Sequence, residues 1–245
     1  MGKEITPETC KQRPSGVFGA NFSTGDWVVF SQERVVGVLS SERFQPYLDA
    51  CEGDPEAALH LYEWNLTMSG AMYELIGMCE IALRNTMASQ LAVLHQDSRM
   101  EWFDDPGHLL QPRAHADIAT ARQRATRGGR SETRGRVVAE LTFGFWRYLL
   151  ASRYEATLWT PALRHGFPNL QPQSRQKVDR VVASMHGLRN RLAHHEPIHA
   201  RNLARDVEDC LKLLGWIDTD VQAWASSVER ARAVLASRPD QGLLG

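Results

Sequence analysis

The residues that could do chemistry are concentrated in one stretch of eleven, from Arg189 to His199. It contains three histidines, two arginines, an asparagine and a glutamate, where a helical pattern of apolar residues runs into Pro197. Histidine exchanges protons near neutral pH, and the fixed donors of arginine suit a phosphate group. Because proline clashes with the carbonyl four residues back, a regular helix should end just before it. The sequence therefore predicts a polar cluster presented at a helix end.

The first interpretation of this cluster is a zinc peptidase. His195, Glu196 and His199 spell its His-Glu-x-x-His signature, which functions only when both histidines project from one face of an unbroken helix. Pro197 lies between them, where that helix has to be continuous. This is the weaker interpretation, and we expect neither a metal site nor another cofactor.

The second interpretation is cleavage of RNA without a metal. Arg189 would stabilise charge on the phosphate, and His194 would exchange a proton with the 2′-hydroxyl or the leaving 5′-oxygen. Positions five apart on an ideal helix point about 140° apart, so the two side chains converge only if the helix loosens or a second copy of the chain contributes one of them. Asn190 lies four residues before His194, where its amide could orient the imidazole. The helix dipole at this end favours a charged histidine, which suits a general acid.

These residues resemble the signature of a known family. Arg189, Asn190 and His194 are similar to the Arg-Asn-x3-His motif of the HEPN superfamily, specifically of its Abi-like abortive-infection branch. Further segments resemble that branch in the same order, so that the resemblance spans roughly residues 38 to 215. The segments are 39–48, 57–65, 80–85, 141–146 and 158–159.

The resemblance implies an all-helical homodimer that cleaves RNA without a metal, often as a toxin or phage-defence effector. It gives the catalytic roles to Arg189, Asn190 and His194. The supporting residues would be Glu80, Arg84, Asn85, Arg191 and His195. By spacing alone, the preferred interpretation of Glu80 and Arg84 is a surface ion pair between helix neighbours.

Control of such an enzyme is a separate question. Some members of the branch carry a tyrosine two residues after the histidine, and a partner nucleotidyltransferase modifies it. Glu196 stands at that position here, which does not fit that form of control. An antitoxin or activator partner of another kind stays open.

Composition narrows the class of protein. The chain of 245 residues is 43% hydrophobic and 23% charged, as in an ordinary globular protein. The cysteines, at positions 10, 51, 79 and 210, form no Cys-x-x-Cys pair, so neither a disulfide framework nor a zinc ribbon is indicated. We find no signal peptide and no apolar run of membrane-spanning length. We therefore expect a cytoplasmic protein that makes no membrane contact.

Arginines crowd into residues 113–136, although the net charge of the chain is only −1. Such a cluster can hold a phosphate backbone without reading sequence. A bias towards GC-rich codons and a solvated loop around Gly128 and Gly129 would also explain it. The candidate RNA-binding residues are Arg122, Arg124, Arg127, Arg130 and Arg134.

Hydrophobic spacing predicts an all-α fold. The resemblance implies that this fold is a HEPN-like bundle, here with extra helices and an irregular N-terminal extension. The predicted domains are an extension over 1–36 with a β-like run at 27–30, an Abi-like domain over 37–217, and a C-terminal helix and tail over 218–245. The predicted helices cover about 41–51, 55–94 with a break near Ser69 and Gly70, 112–127, 132–151, 172 to just before Pro197, 203–216 and 221–236.

Three functions remain open at this stage. The preferred one is a metal-independent endoribonuclease that leaves a cyclic phosphate and spares DNA, which lacks the 2′-hydroxyl. A non-catalytic RNA-binding or regulatory module would hold phosphate with the same residues but without turnover. A dimeric interaction protein would use the polar cluster only to close an interface.

Overall fold

The described residues form helices and turns, and no β-strand occurs among them. The structure is a computed structural model that describes residues 32–96 and 99–239. The all-α fold expected from hydrophobic spacing is confirmed. The β-like run predicted at 27–30 lies outside the described residues, and so does Cys10.

We number the α-helices of the described residues in chain order. They are α1 (Gln32–Leu39), α2 (Ser41–Ala50), α3 (Pro55–Leu94), α4 (Pro112–Ala125), α5 (Arg134–Glu140), α6 (Phe143–Tyr148), α7 (Arg175–Ala193), α8 (Leu203–Ile217), α9 (Thr219–Val228) and α10 (Ala231–Ala236). Shorter helical turns lie at Trp102–Asp104, Ser152–Tyr154, Glu155–Trp159 and Leu163–Gly166.

The forty-residue helix α3 is the element against which most of the others pack. It begins where the sequence predicts, because Asp54 Oδ1 accepts hydrogen bonds from the backbone N–H groups of Glu56 and Ala57 at 2.9 and 3.3 Å. Pro55 occupies the first helical position, where no intrahelical N–H is needed. Helices α2, α5, α6, α7, α8 and α10 all contact it. A helix covered on several sides gains its stability from that packing.

The predicted break in α3 near Ser69 and Gly70 is wrong, since the helix runs through both residues. A glycine inside a helix costs about 1 kcal/mol relative to alanine. Complete burial of neighbours such as Met68 and Met72 outweighs that loss. The Ser69 hydroxyl donates to the Asn65 carbonyl at 2.7 Å, one turn earlier, and leaves the helix intact.

Helix α3 also corrects the expectation that no segment reaches membrane-spanning length. It is the one helix of the described residues that is long and apolar enough to cross a membrane, judged by length and composition alone. The core helix of a helical bundle passes the same test. In this fold Met68, Leu75 and Leu83 of α3 are fully covered by other parts of the chain, so we interpret α3 as a core helix.

The single helix predicted over 132–151 is instead two short helices, α5 and α6. The chain leaves the helical conformation at Leu141 and Thr142. The Thr142 hydroxyl then accepts a hydrogen bond from the Phe145 N–H at 3.3 Å and caps α6. The resulting turn brings α6 against α7, the helix that carries the polar cluster.

The two ends of the described chain also differ from the prediction. Helix α1 begins at Gln32, inside the segment expected to be irregular. The C-terminal helix expected over 221–236 is divided into α9 and α10. Both pack on the common core, in which Ala225 and Val234 are buried. Residues up to 239 therefore belong to the same helical body as the predicted Abi-like domain.

Candidate active site

Helix α7 presents the polar cluster at its C-terminal end. The Ser174 hydroxyl accepts a hydrogen bond from the Lys177 N–H at 3.4 Å, so α7 begins slightly later than the predicted start at Pro172. Val178, Val182, Met185 and Leu188 are buried along one face of this helix. That apolar face fixes the rotation of α7 and turns the polar residues towards the surface.

The helix ends at Ala193, before Pro197, as the sequence predicts. His194 is the residue that closes it, and its N–H donates to the Asn190 carbonyl at 3.1 Å. His195 then adopts a left-handed conformation with φ of 53°. The continuous helix that the zinc-peptidase interpretation requires is therefore not formed. Among the residues that the structure describes, no group of three His, Cys, Asp or Glu side chains could hold a metal ion.

The turn after α7 is anchored to the core by other helices. The Ile198 N–H donates to Oδ1 of the buried Asn65 of α3 at 2.9 Å. His199 is buried with its ring centroid 5.0 Å from that of Tyr47 in α2. Burial and the nearby Arg238 lower the pKa of His199. These contacts hold the backbone on which His194 sits, and they make His199 a packed core residue.

A surface pocket of about 340 Å³ lies between the α5–α6 turn, α3 and the C-terminal half of α7. Three of the predicted site residues line this pocket: Glu80 of α3, and Arg189 and Asn190 of α7. The polar residues that line it are Glu80, Glu140, Thr142, His186, Arg189 and Asn190. The break between α5 and α6 supplies one wall, so the pocket depends on a feature that the sequence did not predict.

Arg189 is the principal cation of this pocket. It is half-buried, and its Nε atom is buried without a hydrogen-bond partner among the described residues. No carboxylate of the described chain forms an ion pair with it, whereas Arg201 lies 2.5 Å from Asp206 and Arg122 lies 2.6 Å from Asp104. A half-buried charge without a partner is unfavourable, so an anion in the pocket would be stabilised.

The predicted supporting strip on α3 is only partly brought to the pocket. Glu80 lines it together with Arg189 and Asn190. Arg84 is half-buried with its Nε atom lacking a partner within the described chain, and Asn85 is exposed. Neither lines the pocket. Within the described residues Glu80 and Arg84 form no ion pair, so their spacing does not reflect a surface salt bridge.

His194 is exposed and does not line the pocket of its own chain. It follows Arg189 by five residues, and its side chain forms no hydrogen bond with the Asn190 amide in the described structure. His194 therefore does not join Arg189 in this pocket, in keeping with the different directions of these helix positions. Arg189 and His194 can meet at one phosphate only if a second copy of the chain contributes one of them or the turn rearranges.

Arg191 and His195, two of the predicted supporting residues, contribute contacts that stabilise the turn after α7. Arg191 donates to the Pro197 carbonyl at 2.9 Å, and its Nε lies 3.6 Å from the Glu196 carboxylate. The His195 carbonyl accepts a hydrogen bond from Arg43 of α2 at 2.7 Å. The hydrogen bonds to the Pro197 and His195 carbonyls hold the backbone of this turn, so they position His194.

His186 is a pocket residue that our sequence analysis did not single out. Its ring packs edge-on against Phe143 with centroids 5.7 Å apart, and it lies over Gly144, where a Cβ atom would be 3.4 Å from Nε2. Burial, together with Arg147 and Arg189, lowers the pKa of His186. The available signal was the spacing of three residues between His186 and Arg189 on one helix, which makes them surface neighbours.

Two of the predicted RNA-binding arginines are held by carboxylates of the same chain. Arg122 pairs with Asp104 at 2.6 Å and with Glu132 at 2.7 Å. Arg134 lies 2.6 Å from Glu101. These partners partly neutralise the cluster, so its charge is smaller than the sequence implies.

The other three arginines of the cluster lie at the C-terminal end of α4 and in the following loop. Arg130 donates to the carbonyls of Arg127 and Arg124 at 2.9 and 3.3 Å. Arg124 and Arg127 line a second surface pocket of about 420 Å³ with Thr120 and Gln123. Among the described residues neither of the two forms an ion pair. Arg124 and Arg127 are therefore the members of the cluster best able to bind a phosphate.

We compared the chain with protein-family models, curated proteins and solved structures, and none of them matches it.

Proposed function

We propose that this protein is a metal-independent endoribonuclease of the HEPN type. The proposal is carried by one observation, the half-buried Arg189 that lines a pocket without a carboxylate partner in the described chain. A phosphodiester bound there would satisfy both its charge and its free donors, since the planar guanidinium suits a phosphate. The histidine at the end of the same helix supplies the proton transfer that RNA cleavage needs.

In the proposed reaction, Arg189 and Asn190 hold the non-bridging oxygens of the scissile phosphate. The 2′-hydroxyl gives its proton to a base as the 2′-oxygen attacks the phosphorus, the bond to the 5′-oxygen breaks, and His194 donates a proton to that oxygen. The products carry a 2′,3′-cyclic phosphate and a 5′-hydroxyl. Stabilisation of the developing charge by a fixed cation is a large contribution to such a reaction.

We propose that His194 reaches the pocket from a second copy of the chain, because it lies outside the pocket of its own. An exposed apolar face on α3 supports a homodimer. Leu66, Tyr73 and Ile81 are 49%, 50% and 51% exposed, and their spacing of about two turns puts them on one side of the helix. Ile81 adjoins Glu80, which lines the pocket, so a contact between two copies on this face would lie beside the site.

A non-catalytic RNA-binding module is the second candidate. The exposed position of His194 outside the pocket favours it, because Arg189 alone can grip a phosphate without turnover. Under this alternative, loss of Arg189 weakens RNA binding while loss of His194 changes little.

The test is cleavage of a labelled RNA of mixed sequence by the purified protein in EDTA. We compare the wild type with His194→Ala and with His60→Ala, an exposed histidine of α3 remote in sequence from the cluster. We expect His194→Ala to lower the rate by about 10² to 10⁴-fold, and His60→Ala to leave it unchanged. End-group analysis should find cyclic phosphates, and DNA of the same sequence should stay intact. Binding of RNA without any cut by a folded dimer supports the binding module instead.

A further inference from the structure

The pocket that holds Arg189 contains a histidine of its own. His186 and Arg189 are three residues apart on α7, so their side chains are neighbours on the helix surface. A phosphate held by Arg189 would therefore lie within the same pocket as the His186 ring. His194, in contrast, is exposed at the end of the helix. The reaction needs two proton transfers, one from the 2′-hydroxyl and one to the 5′-oxygen.

We propose that His186 is the general base of this site and that His194 is its general acid. This inference rests on the proposed ribonuclease function and assigns one step of it to a further residue. An unprotonated ring nitrogen of His186 accepts the proton of the 2′-hydroxyl as the bond between the 2′-oxygen and phosphorus forms. The bond to the 5′-oxygen breaks, and that oxygen takes the proton of His194. Exchange with water then returns both histidines to their starting states.

The surroundings of His186 favour this role. Neither of its ring nitrogens hydrogen-bonds to another residue of the described chain, so both are available to a ligand. Phe143 holds the ring edge-on, with centroids 5.7 Å apart, and Gly144 leaves room beside Nε2. A ring fixed by packing, with its nitrogens free, is an arrangement suited to proton transfer in a defined direction.

Each of the helices α3, α5, α6 and α7 contributes a charged residue to the surroundings of His186. Arg147 of α6 and Arg189 of α7, together with burial, lower the pKa of His186. Glu80 of α3 and Glu140 of α5 line the same pocket. A lowered pKa leaves the ring neutral at neutral pH, as a base must be. His194 lies apart from these charges, at the exposed C-terminal end of α7.

A change of leaving group distinguishes the two histidines. In an RNA whose scissile 5′-oxygen is replaced by sulfur, the thiolate departs without a proton near neutral pH, so a general acid is not needed. We expect His194→Ala and His186→Gln each to slow cleavage of ordinary RNA by at least about 100-fold. The sulfur substrate should recover at least about tenfold of the loss in His194→Ala and none of it in His186→Gln. His60→Gln is the matched control and should behave like the wild type with both substrates.

The same comparison separates failure of this inference from failure of the proposed function. If the wild type does not cut RNA in EDTA, both proposals are overturned. If it cuts and His186→Gln cuts equally well, or is rescued by sulfur, only the role of His186 is overturned. Circular dichroism and thermal melting of His186→Gln and of His186→Asn establish whether each variant is folded.

A measurement on the wild type needs no variant at all. The rate should fall on the acid side with a midpoint below about 6.5, the ordinary pKa of histidine, because His186 must be neutral. With the sulfur substrate this acid limb should persist, while the decline at high pH caused by loss of the acid should vanish. An acid limb that disappears with the sulfur substrate would overturn the proposal.

Discussion

Arg189 carries a half-buried positive charge that no carboxylate of the described chain neutralises, an arrangement that stability alone does not favour. Arg201 provides the contrast. It pairs with the buried Asp206 at 2.5 Å and donates to the Ser184 hydroxyl at 2.7 Å. One arginine is committed to the fold, and the other is available to a ligand. Residues that serve a ligand are often retained at some expense of stability.

This contrast predicts opposite effects of the same substitution. Arg189→Met should leave the free energy of unfolding unchanged or raise it by up to about 1 kcal/mol, because it removes an unpaired half-buried charge. Arg201→Met should lower it by about 2 kcal/mol, since Asp206 would be left buried without its cation. Urea denaturation of both variants measures the two differences. Equal destabilisation would show that Arg189 is also a structural residue.

At the scale of elements, the pocket exists because the segment predicted as one helix over 132–151 forms two helices, α5 and α6. Helix α5 ends at Glu140, and Thr142, which caps α6, lines the pocket. Thr133 caps α5 in the same way, accepting from the Arg136 N–H at 3.4 Å, but it does not line the pocket. These two threonine caps are alike in geometry, and only that of Thr142 borders the pocket.

Replacing each cap with alanine separates folding from function. Thr142→Ala and Thr133→Ala should each lower the free energy of unfolding by about 1 kcal/mol, the usual contribution of an N-cap side chain. Only Thr142→Ala should slow RNA cleavage, by about tenfold or more, because it loosens the wall against which substrate is held. If Thr133→Ala slowed cleavage as much, the pocket would not be the site.

Local signals in the sequence were sufficient to place the ends of several helices. Asp54 before Pro55 marked the start of α3, and Pro197 marked the region where α7 ends. The continuity of α3 through Gly70 could not be read locally, because packing by distant helices overrides the weak helix preference of glycine. Thr142 did not signal a break either, since threonine is tolerated inside helices and at caps alike.

The residues of the candidate site were predicted only in part, because some of them depend on contacts between segments that are distant in the chain. Arg189 and Asn190 stood out because they belong to the polar cluster at 189–199 and to its Arg-Asn-x3-His motif, and the pocket contains both. His186 lies within the apolar run of α7, and its immediate neighbours in the sequence do not mark it as a site residue. Its importance depends on Phe143 and Gly144, which the fold brings from another helix. The partners of Arg122 and Arg134 were likewise hidden by distance along the chain.

At the scale of the whole molecule, the proposed dimer would bring together Arg189 and His194, which do not line the same pocket within one chain. In a symmetric dimer, each pocket would combine Arg189 of one protomer with the His194 of the other. In this proposed dimer, the exposed apolar face of α3 next to Glu80 would be the contact surface between the two copies.

Mixing two inactive variants tests this arrangement. Arg189→Met and His194→Ala, unfolded or dissociated together and reassembled at equal amounts, should recover about a quarter of wild-type cleavage, since half of the dimers are mixed and each has one intact site. Sedimentation of differently labelled variants shows whether mixed dimers form. If they form and no activity returns, Arg189 and His194 act within one chain.

The measurement that tests the central claim most directly is cleavage in EDTA of a short RNA by the wild type and by Arg189→Met. The two proteins should fold equally well, so a difference in rate reports the pocket and not stability. We predict that the wild type cuts the RNA, leaves 2′,3′-cyclic phosphate ends and stops wherever a single 2′-deoxynucleotide precedes the scissile phosphate, while Arg189→Met loses at least about 100-fold in rate. Equal cutting by both proteins, or a folded wild-type dimer that leaves the RNA intact, would contradict the account.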